Sequence, residues 1–440
     1  MEPGSIVRKV ADAGVCGAGG GGFPTHVKLS AKAEAVIANG AECEPILSTD
    51  RHLMETRAGE IVEALRIARA ATGAGSAYIA LKGKYSEAVK SIKRAAGESS
   101  DVKVLILEDY YPAGDEFELV YRALGRIIPE GGIPLDSGAV VLNVNTLLNI
   151  FRAVKESAPV TGRWVTVAGE VKEPYMAEVP LGTAASELIK AARPLIEDYA
   201  VISGGPMTGV IRDEDFLIDK VTGGVLLLPE DHPVVVKKRL TPEASERRGR
   251  SVCDQCFDCT VLCPRYLLGH LLEPHRIMRS LFVGDEHPKE HMSNSCLCCE
   301  CELCTMYACP LDLSPSGIIR GIKRTLSEKG VKNPHRSSEL ETHPERGFRR
   351  VSSERLTARL DIGKYDNPAL PVRDVEVSSV AIPLKQHAGL AARPVVEPGR
   401  EVNEGDLIAD IPEGELGSAV HASIAGKVTS VDSDFIFLGG

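Results

Sequence analysis

Between Cys253 and Cys309 the chain reads C-x2-C-x2-C-x3-C-P (Cys253, Cys256, Cys259, Cys263, Pro264) and then C-x2-C-x2-C-x4-C-P (Cys298, Cys301, Cys304, Cys309, Pro310). All but two of its twelve cysteines fall in this interval. Three thiolates at i, i+3 and i+6 on a tight loop reach three corners of one iron–sulfur cube, and in paired runs of this kind the fourth cysteine serves the other cluster. The spacing therefore assigns Cys253, Cys256, Cys259 and Cys309 to one [4Fe–4S] cluster. Cys298, Cys301, Cys304 and Cys263 go to a second. The proline after each fourth cysteine fixes φ and lacks an N–H, which suits a break in helical structure at the ligand.

Zinc also takes four thiolates, but its usual pattern is two C-x2-C pairs separated by a longer loop. Disulfides fit poorly with adjacent Cys298 and Cys299 and with so many thiols crowded together. Cys296 and Cys299 are left over, and C-x2-C also links them, so a register slipped onto that pair stays open. The run Cys298, Cys301, Cys304 is preferred because it alone completes a triplet. His270, His275 and His291 are further candidate ligands, but eight well-spaced cysteines already fill two cubes.

A thiol-rich chain opening on MEPGSIVRKVADAG, with no apolar leader, is expected in a reducing compartment, the cytoplasm. A net charge of −10 gives a nucleic-acid backbone no global attraction, and a single tryptophan offers little for stacking bases. No run of about 18 apolar residues exists, so no transmembrane segment is expected. At 440 residues the chain has room for about three domains.

Near the N-terminus, Gly17-Ala18-Gly19-Gly20-Gly21-Gly22 places five glycines in six positions, followed by Phe23-Pro24-Thr25-His26-Val27-Lys28. Such a backbone can approach a ligand closely and turn its N–H groups on an anion. Pro24 and Thr25 suit a helix entry, which also favours phosphate. A flexible linker is the other reading, although linkers carry Ser and polar residues rather than Phe-Pro-Thr. The run is not G-x-x-x-x-G-K-[ST], so it is no ATP P-loop.

The stretch Gly17–Lys28 resembles the flavin loop of the NADH-oxidising subunit of respiratory complex I, G-R-G-G-A-G-F-P-T-G-x-K. Three further matches follow in order. Asn39-Gly-Ala-Glu-Cys-Glu-Pro45 is similar to N-A-D-E-G-E-P, Tyr111-Pro-Ala-Gly-Asp-Glu116 to Y-x-x-G-E-E, and Asn143-Val-Asn-Thr146 to N-V-E-T. The resemblance implies FMN held by Gly17, Gly19, Gly20, Gly22, Lys28, Asn39, Glu42, Asn143 and Thr146. It implies NADH near Phe23, Glu44 and Glu116. Ala18, Ala41 and Cys43 stand where that family has Arg, Asp and Gly.

Around these motifs the pattern is α/β. Helices are expected over 5–14, 55–72, 86–96 and 116–124, and strands over 36–38, 77–81, 102–107 and 139–142, which makes a mainly parallel sheet with the motifs on loops after strands. Residues 163–230 read as an α+β unit resembling a β-grasp module. Residues 236–250 read as a basic linker, 265–278 and 314–328 as helices, and 331–372 as a connector. The segments 395–409 and 420–428 resemble the halves of a barrel-sandwich hybrid. The tip between them, Pro412–Gly417, carries no lysine, so a swinging-arm carrier is rejected.

The expected fold class is thus multidomain α/β and α+β. A parallel-sheet flavin module spans 1–158, a β-grasp module 159–235, a dicluster ferredoxin-like helical module 236–330, a connector 331–372, and a barrel-sandwich hybrid 373–440. Modules in this order resemble the corrin reductases of propanediol utilisation, with the C subunit of the Rnf electron-transport complex as a cousin. The resemblance implies transfer from NADH through FMN and two [4Fe–4S] clusters to cobalamin. It implies a corrin-handling enzyme, a bacterial microcompartment or electron-transfer proteins as partners, and no nucleic acid. The alternative is a non-enzymatic, Rnf C-like electron-transfer adaptor.

Overall fold

Four apolar stretches meet as one parallel sheet in the structure, a computed structural model that describes residues 1–97, 101–281, 290–367 and 369–439. Strands β1 (Ala35–Gly40), β2 (Ser76–Lys82), β3 (Val102–Leu107) and β4 (Ala139–Asn143) lie in the order β3-β2-β1-β4, every pair parallel. β1 is almost wholly buried, as expected of a central parallel strand covered on both faces. The helix Ala58–Thr72 covers one face with Ile61, Val62, Leu65 and Ala68. Leu119 and Val120 of the helix Glu116–Leu124 pack on the other.

The second sheet has the order β6-β5-β9-β7-β8, from β5 (Gly162–Gly169), β6 (Tyr175–Pro180), β7 (Tyr199–Ser203), β8 (Val210–Arg212) and β9 (Gly224–Pro229). Its central pair β5/β9 is parallel and the rest antiparallel. The helix Ala185–Ala192 closes this core with Leu188 and Ile189. Near the C-terminus, Ser379–Pro383, Phe435–Gly439, Gly426–Val431 and Glu401–Val402 form a four-stranded sheet. Arg393–Pro394, Leu407–Asp410 and Val420–His421 form a three-stranded one. Both bury side chains in one core. Among the described residues no helix is long and apolar enough to cross a membrane.

Three segments depart from expectation. Residues 55–72 form not one helix but parts of two, Thr49–Thr56 and Ala58–Thr72. The first starts early because the Glu42 carboxylate, from a separate loop, accepts the N–H groups of Asp50 (2.8 Å) and Arg51 (3.0 Å). Residues 265–278 break into Pro264–Leu267 and Pro274–Ser280. Gly269 lies between them at φ +93°, where an added Cβ would stand 2.3 Å from the Glu341 carbonyl oxygen. The basic linker 236–250 is largely helical. Pro242 opens the helix Pro242–Val252, and the Thr241 hydroxyl caps it by accepting the Ala244 N–H at 3.2 Å.

The connector is packed, not loose. Val351–Ser352 pairs antiparallel with Tyr110–Tyr111, and Arg346 is ion-paired to buried Glu118. A second tie joins three modules. The buried Lys220 ammonium donates to the carbonyls of Gly14 and Ala419, both at 2.7 Å, and to the Ser418 hydroxyl at 3.3 Å. Lys220→Met would leave these acceptors unpaired in the interior. It is expected to lower stability by about 3 kcal/mol, read from urea unfolding midpoints; a loss under about 1 kcal/mol would show that water replaces the amine.

Candidate functional site

The glycine run is a closed loop. The Gly17 N–H donates to the Phe23 carbonyl at 2.9 Å, the Gly22 N–H to the Gly17 carbonyl at 3.0 Å, and Cys16 bridges to Pro24. The Thr146 hydroxyl pins the loop from the helix Val144–Phe151 by accepting the Ala18 N–H at 2.9 Å. A Cβ on Gly20 or Gly21 would meet no atom within 4 Å, so this edge of the loop faces open space.

Part of that space is a cavity of about 370 Å³ at the C-terminal ends of β1 and β4. Gly19, Gly20, Asn39, Glu42, Glu44 and Asn143 line it, together with Cys43, Asp50, Tyr111, Asp115, Arg163, Cys299 and Cys301. Asn39 is held by donating to the Gly114 carbonyl (2.9 Å) and accepting the Ala41 N–H (3.1 Å). Asn143 donates to Asp50 at 2.6 Å. Burial, reinforced by the Asp50 carboxylate, pushes the Glu42 carboxyl well up from its ordinary range. Glu44 accepts from the Met207 N–H, the Thr208 N–H and the Thr208 hydroxyl, at 2.9, 2.7 and 2.6 Å, and so anchors a turn of the second module to the cavity wall.

The other motif residues lie behind or beside this wall. Gly17 and Phe23 close the loop's neck. Lys28 pairs with Glu116 at 3.3 Å and donates to the Val141 carbonyl at 3.1 Å. Gly22 faces the C-terminal module, and its carbonyl accepts the Ala388 N–H at 2.9 Å. A side chain there would press on His387 at 3.2 Å. Beside the cavity lies a cleft of about 980 Å³ that shares Gly19, Gly20 and Cys299 and adds Lys237, Lys238, Arg239 and Arg320.

The two cysteine triplets share one backbone design. Gln255 and Phe257 have φ of +61° and +70°, and Glu300 and Glu302, at the same places between Cys298, Cys301 and Cys304, have +58° and +64°. Non-glycine residues seldom adopt this conformation, which here wraps each loop around its thiols. The repeat follows the Cys298 register and not one slipped onto Cys296. Cys253, Cys256, Cys259 and Cys309 wall one small pocket. Cys263 is felt electrostatically by Cys298, Cys301 and Cys304, and by Cys259 of the first triplet as well. Among the described residues no three His, Cys, Asp or Glu side chains converge tightly enough for one metal ion. A cubane, whose four irons occupy alternate corners and take one thiolate each, tolerates the wider spread.

The thiol chemistry suits iron. Burial pushes Cys263 and Cys298 up to about 12 and raises Cys259 and Cys304 further. Such thiols ionise only beside strong positive charge, which cluster iron provides. The Glu300 N–H donates to Cys298 Sγ at 3.3 Å and the Leu313 N–H to Cys309 Sγ at 3.4 Å.

Cluster and glycine-loop modules meet in the cavity. The Tyr111 hydroxyl donates to the Cys301 carbonyl at 2.7 Å. Buried Arg265 pairs with Asp115 at 2.6 Å and lies 3.7 Å over the Phe117 ring. Sequence reasoning quoted Tyr111 and Asp115 within a motif without giving them a role, and it passed over Arg265 and Arg163. Arg265 follows the first C-P directly, which was the available signal. Arg163 opened the stretch read only as an α+β unit.

The Nuo51 FMN-binding domain family matches residues 10–152, the 4Fe-4S dicluster domain family 252–314, and the RnfC barrel sandwich hybrid domain family 360–439. The chain is 38% identical over 435 residues to the cobalamin reductase PduS of Salmonella typhimurium, covering 98% of this chain and 95% of that protein. It is 34% identical over 274 residues to the C subunit of the Na(+)-translocating ferredoxin:NAD(+) oxidoreductase complex of Acetobacterium woodii, covering 61% of this chain and 59% of that protein. A crystal structure of NAD+-reducing [NiFe]-hydrogenase in the H2-reduced state shares the fold, with a TM-score of 0.50 and 21% identity over 76% of this chain and 63% of that one. With a flavin module of the Nuo51 type, a dicluster module and a near full-length match, the chain belongs to the family of the cobalamin reductases PduS.

Proposed function

We propose that this protein reduces cobalamin at the expense of NADH, with FMN and two [4Fe–4S] clusters as resident cofactors. The observation that carries the reading is the shared cavity: the glycine loop forms one part of its wall and the cluster-ligand loop, through Cys299 and Cys301, another. When bound, a flavin takes electrons from a nicotinamide as a pair and releases them singly, which is the form that cubane clusters carry. Gly17, Gly19, Gly20, Gly22, Lys28, Asn39, Glu42, Asn143 and Thr146 are the proposed FMN residues. Those on the wall make contact, and Gly17, Gly22, Lys28 and Thr146 set the loop's shape or charge. Phe23, Glu44 and Glu116 are proposed for the nicotinamide, and the eight cysteines hold the clusters in two interleaved quartets.

The proposed working unit is the five-part chain with boundaries at 158, 235, 330 and 372. The proposed setting is the cytoplasm, within a bacterial microcompartment, where a partner enzyme presents the corrin. Family membership supports that setting, and the cleft beside Cys299 gives a bulky acceptor an approach. Anaerobic addition of NADH to the purified holoprotein is expected to bleach the flavin band, and added cob(III)alamin is then expected to be reduced. A flavin that responds to a reduced protein donor but to neither NADH nor NADPH would overturn the reductase and establish the electron-transfer adaptor.

A further inference from the structure

Arg163 belongs to β5 in the second module, yet its guanidinium crosses to the glycine loop. Nε donates to the Thr222 carbonyl at 2.7 Å and Nη2 to the Ala18 carbonyl at 2.8 Å. Nη1 has no partner, although the residue is only 6% exposed and forms part of the cavity wall. Among the described residues that line this cavity it is the only cationic side chain. Neighbouring cations outside the wall are committed: Arg265 to Asp115 at 2.6 Å, Lys82 to Asp109 at 3.2 Å, Lys28 to Glu116 at 3.3 Å.

Two carboxylates share the field of Arg163, Asp50 and Asp219. Asp50 is engaged by Asn143 at 2.6 Å, and Asp219 accepts the N–H groups of Val221 and Thr222 at 3.0 and 2.9 Å. A buried guanidinium with an unmet N–H pair is costly unless a ligand oxygen completes it. Two carbonyls already fix its plane, so little side-chain entropy remains to be lost when it binds. Within the glycine run Gly17–Gly22 itself there is no cation, for Ala18 stands where the complex I pattern has arginine, and Lys28 at the far end of the motif is held by Glu116.

We propose that Arg163 Nη1 binds the phosphate of the flavin mononucleotide, so that the β-grasp module selects phosphorylated flavin. This rests on the FMN reading above. The test uses full-length protein stripped of flavin but retaining iron, titrated with FMN and with riboflavin by fluorescence quenching. The wild type is expected to prefer FMN. In Arg163→Met the preference should shrink on the order of tenfold to a hundredfold, the worth of a charge-assisted hydrogen bond, with riboflavin binding little changed.

The ratio of the two affinities is internal to each variant, so a general loss of fold does not imitate the result. Arg163→Gln, whose amide nitrogen takes the place of Nε and can still donate to the Thr222 carbonyl, serves if the Met variant does not fold. A ratio equal to that of the wild type overturns the assignment, and so does equal weakening of both flavins, which would place Arg163 on the ring. A wild-type protein that binds neither flavin overturns the FMN reading itself, a different result from either.

Discussion

Cys309→Ser is expected to remove the cluster built on Cys253, Cys256 and Cys259, far upstream in sequence, and to spare the one next to it. Iron and acid-labile sulfide should each fall from about eight to about four per chain. Cys263→Ser should do the converse. Cys309 shares a pocket with the first triplet, and Cys263 acts electrostatically on all three thiols of the second. Pairs of substitutions identify which cluster each residue serves. Cys309→Ser with Cys256→Ser should lose no more iron than either alone, because both remove the same cube. Cys309→Ser with Cys304→Ser should lose nearly all of it. This is non-additivity within a unit and additivity between units. Cys296→Ser and Cys299→Ser should leave about eight. Loss of half the iron in Cys299→Ser, or near-total loss in the Cys309/Cys256 pair, would sink the interleaved assignment.

That two clusters are held here could be read from the sequence because a cube imposes its own spacing on any chain that holds it. The same is true of the α/β alternation, since hydrophobic period and strand length are local properties. The glycine loop was legible as a loop, but the work of its members was not. Gly22 needs its bare backbone because His387, more than three hundred residues later, packs on it. Nothing near position 22 announces that neighbour. Glu44, on the cavity wall, also anchors the Met207–Thr208 turn, a task that nothing near position 44 announces.

The misread segments share one cause. The helix from Thr49 is capped by Glu42 rather than by a residue beside it, and the break at Gly269 is set by Glu341. The connector looked polar because its arginines are charged. Arg346 and Arg350 nevertheless lie over the Tyr121 and Tyr110 rings, 4.5 Å from each centroid, and Arg346 is paired with buried Glu118. Composition cannot separate a solvated arginine from one whose partner lies in another module. Arg163 was invisible for the same reason.

Asp115 is where the flavin and cluster modules depend on each other most directly, and Asp115→Ala is expected to be among the most damaging single changes outside the cysteines. Its carboxylate caps the helix Glu116–Leu124, accepting the N–H groups of Phe117 (2.9 Å) and Glu118 (3.3 Å), and it also neutralises Arg265. The two side chains are 11% and 7% exposed, so solvent screens the pair little. Removing one member leaves a buried charge alone, at about 3–5 kcal/mol, and the lost cap adds about 1 kcal/mol. Asp115→Asn can keep the cap while discarding the charge, so its loss should be smaller than that of Ala by about the worth of the cap. Arg265→Met in the Asp115→Asn background removes the stranded cation and should recover part of the stability. Urea unfolding followed by Trp164, the single tryptophan, gives the comparison, because that side chain is buried in the core shared by the first and second modules. If Asp115→Ala cost less than about 1 kcal/mol, or if Arg265→Met brought no recovery, the ion pair would be incidental and the junction would rest on the Tyr111–Cys301 hydrogen bond and apolar packing instead.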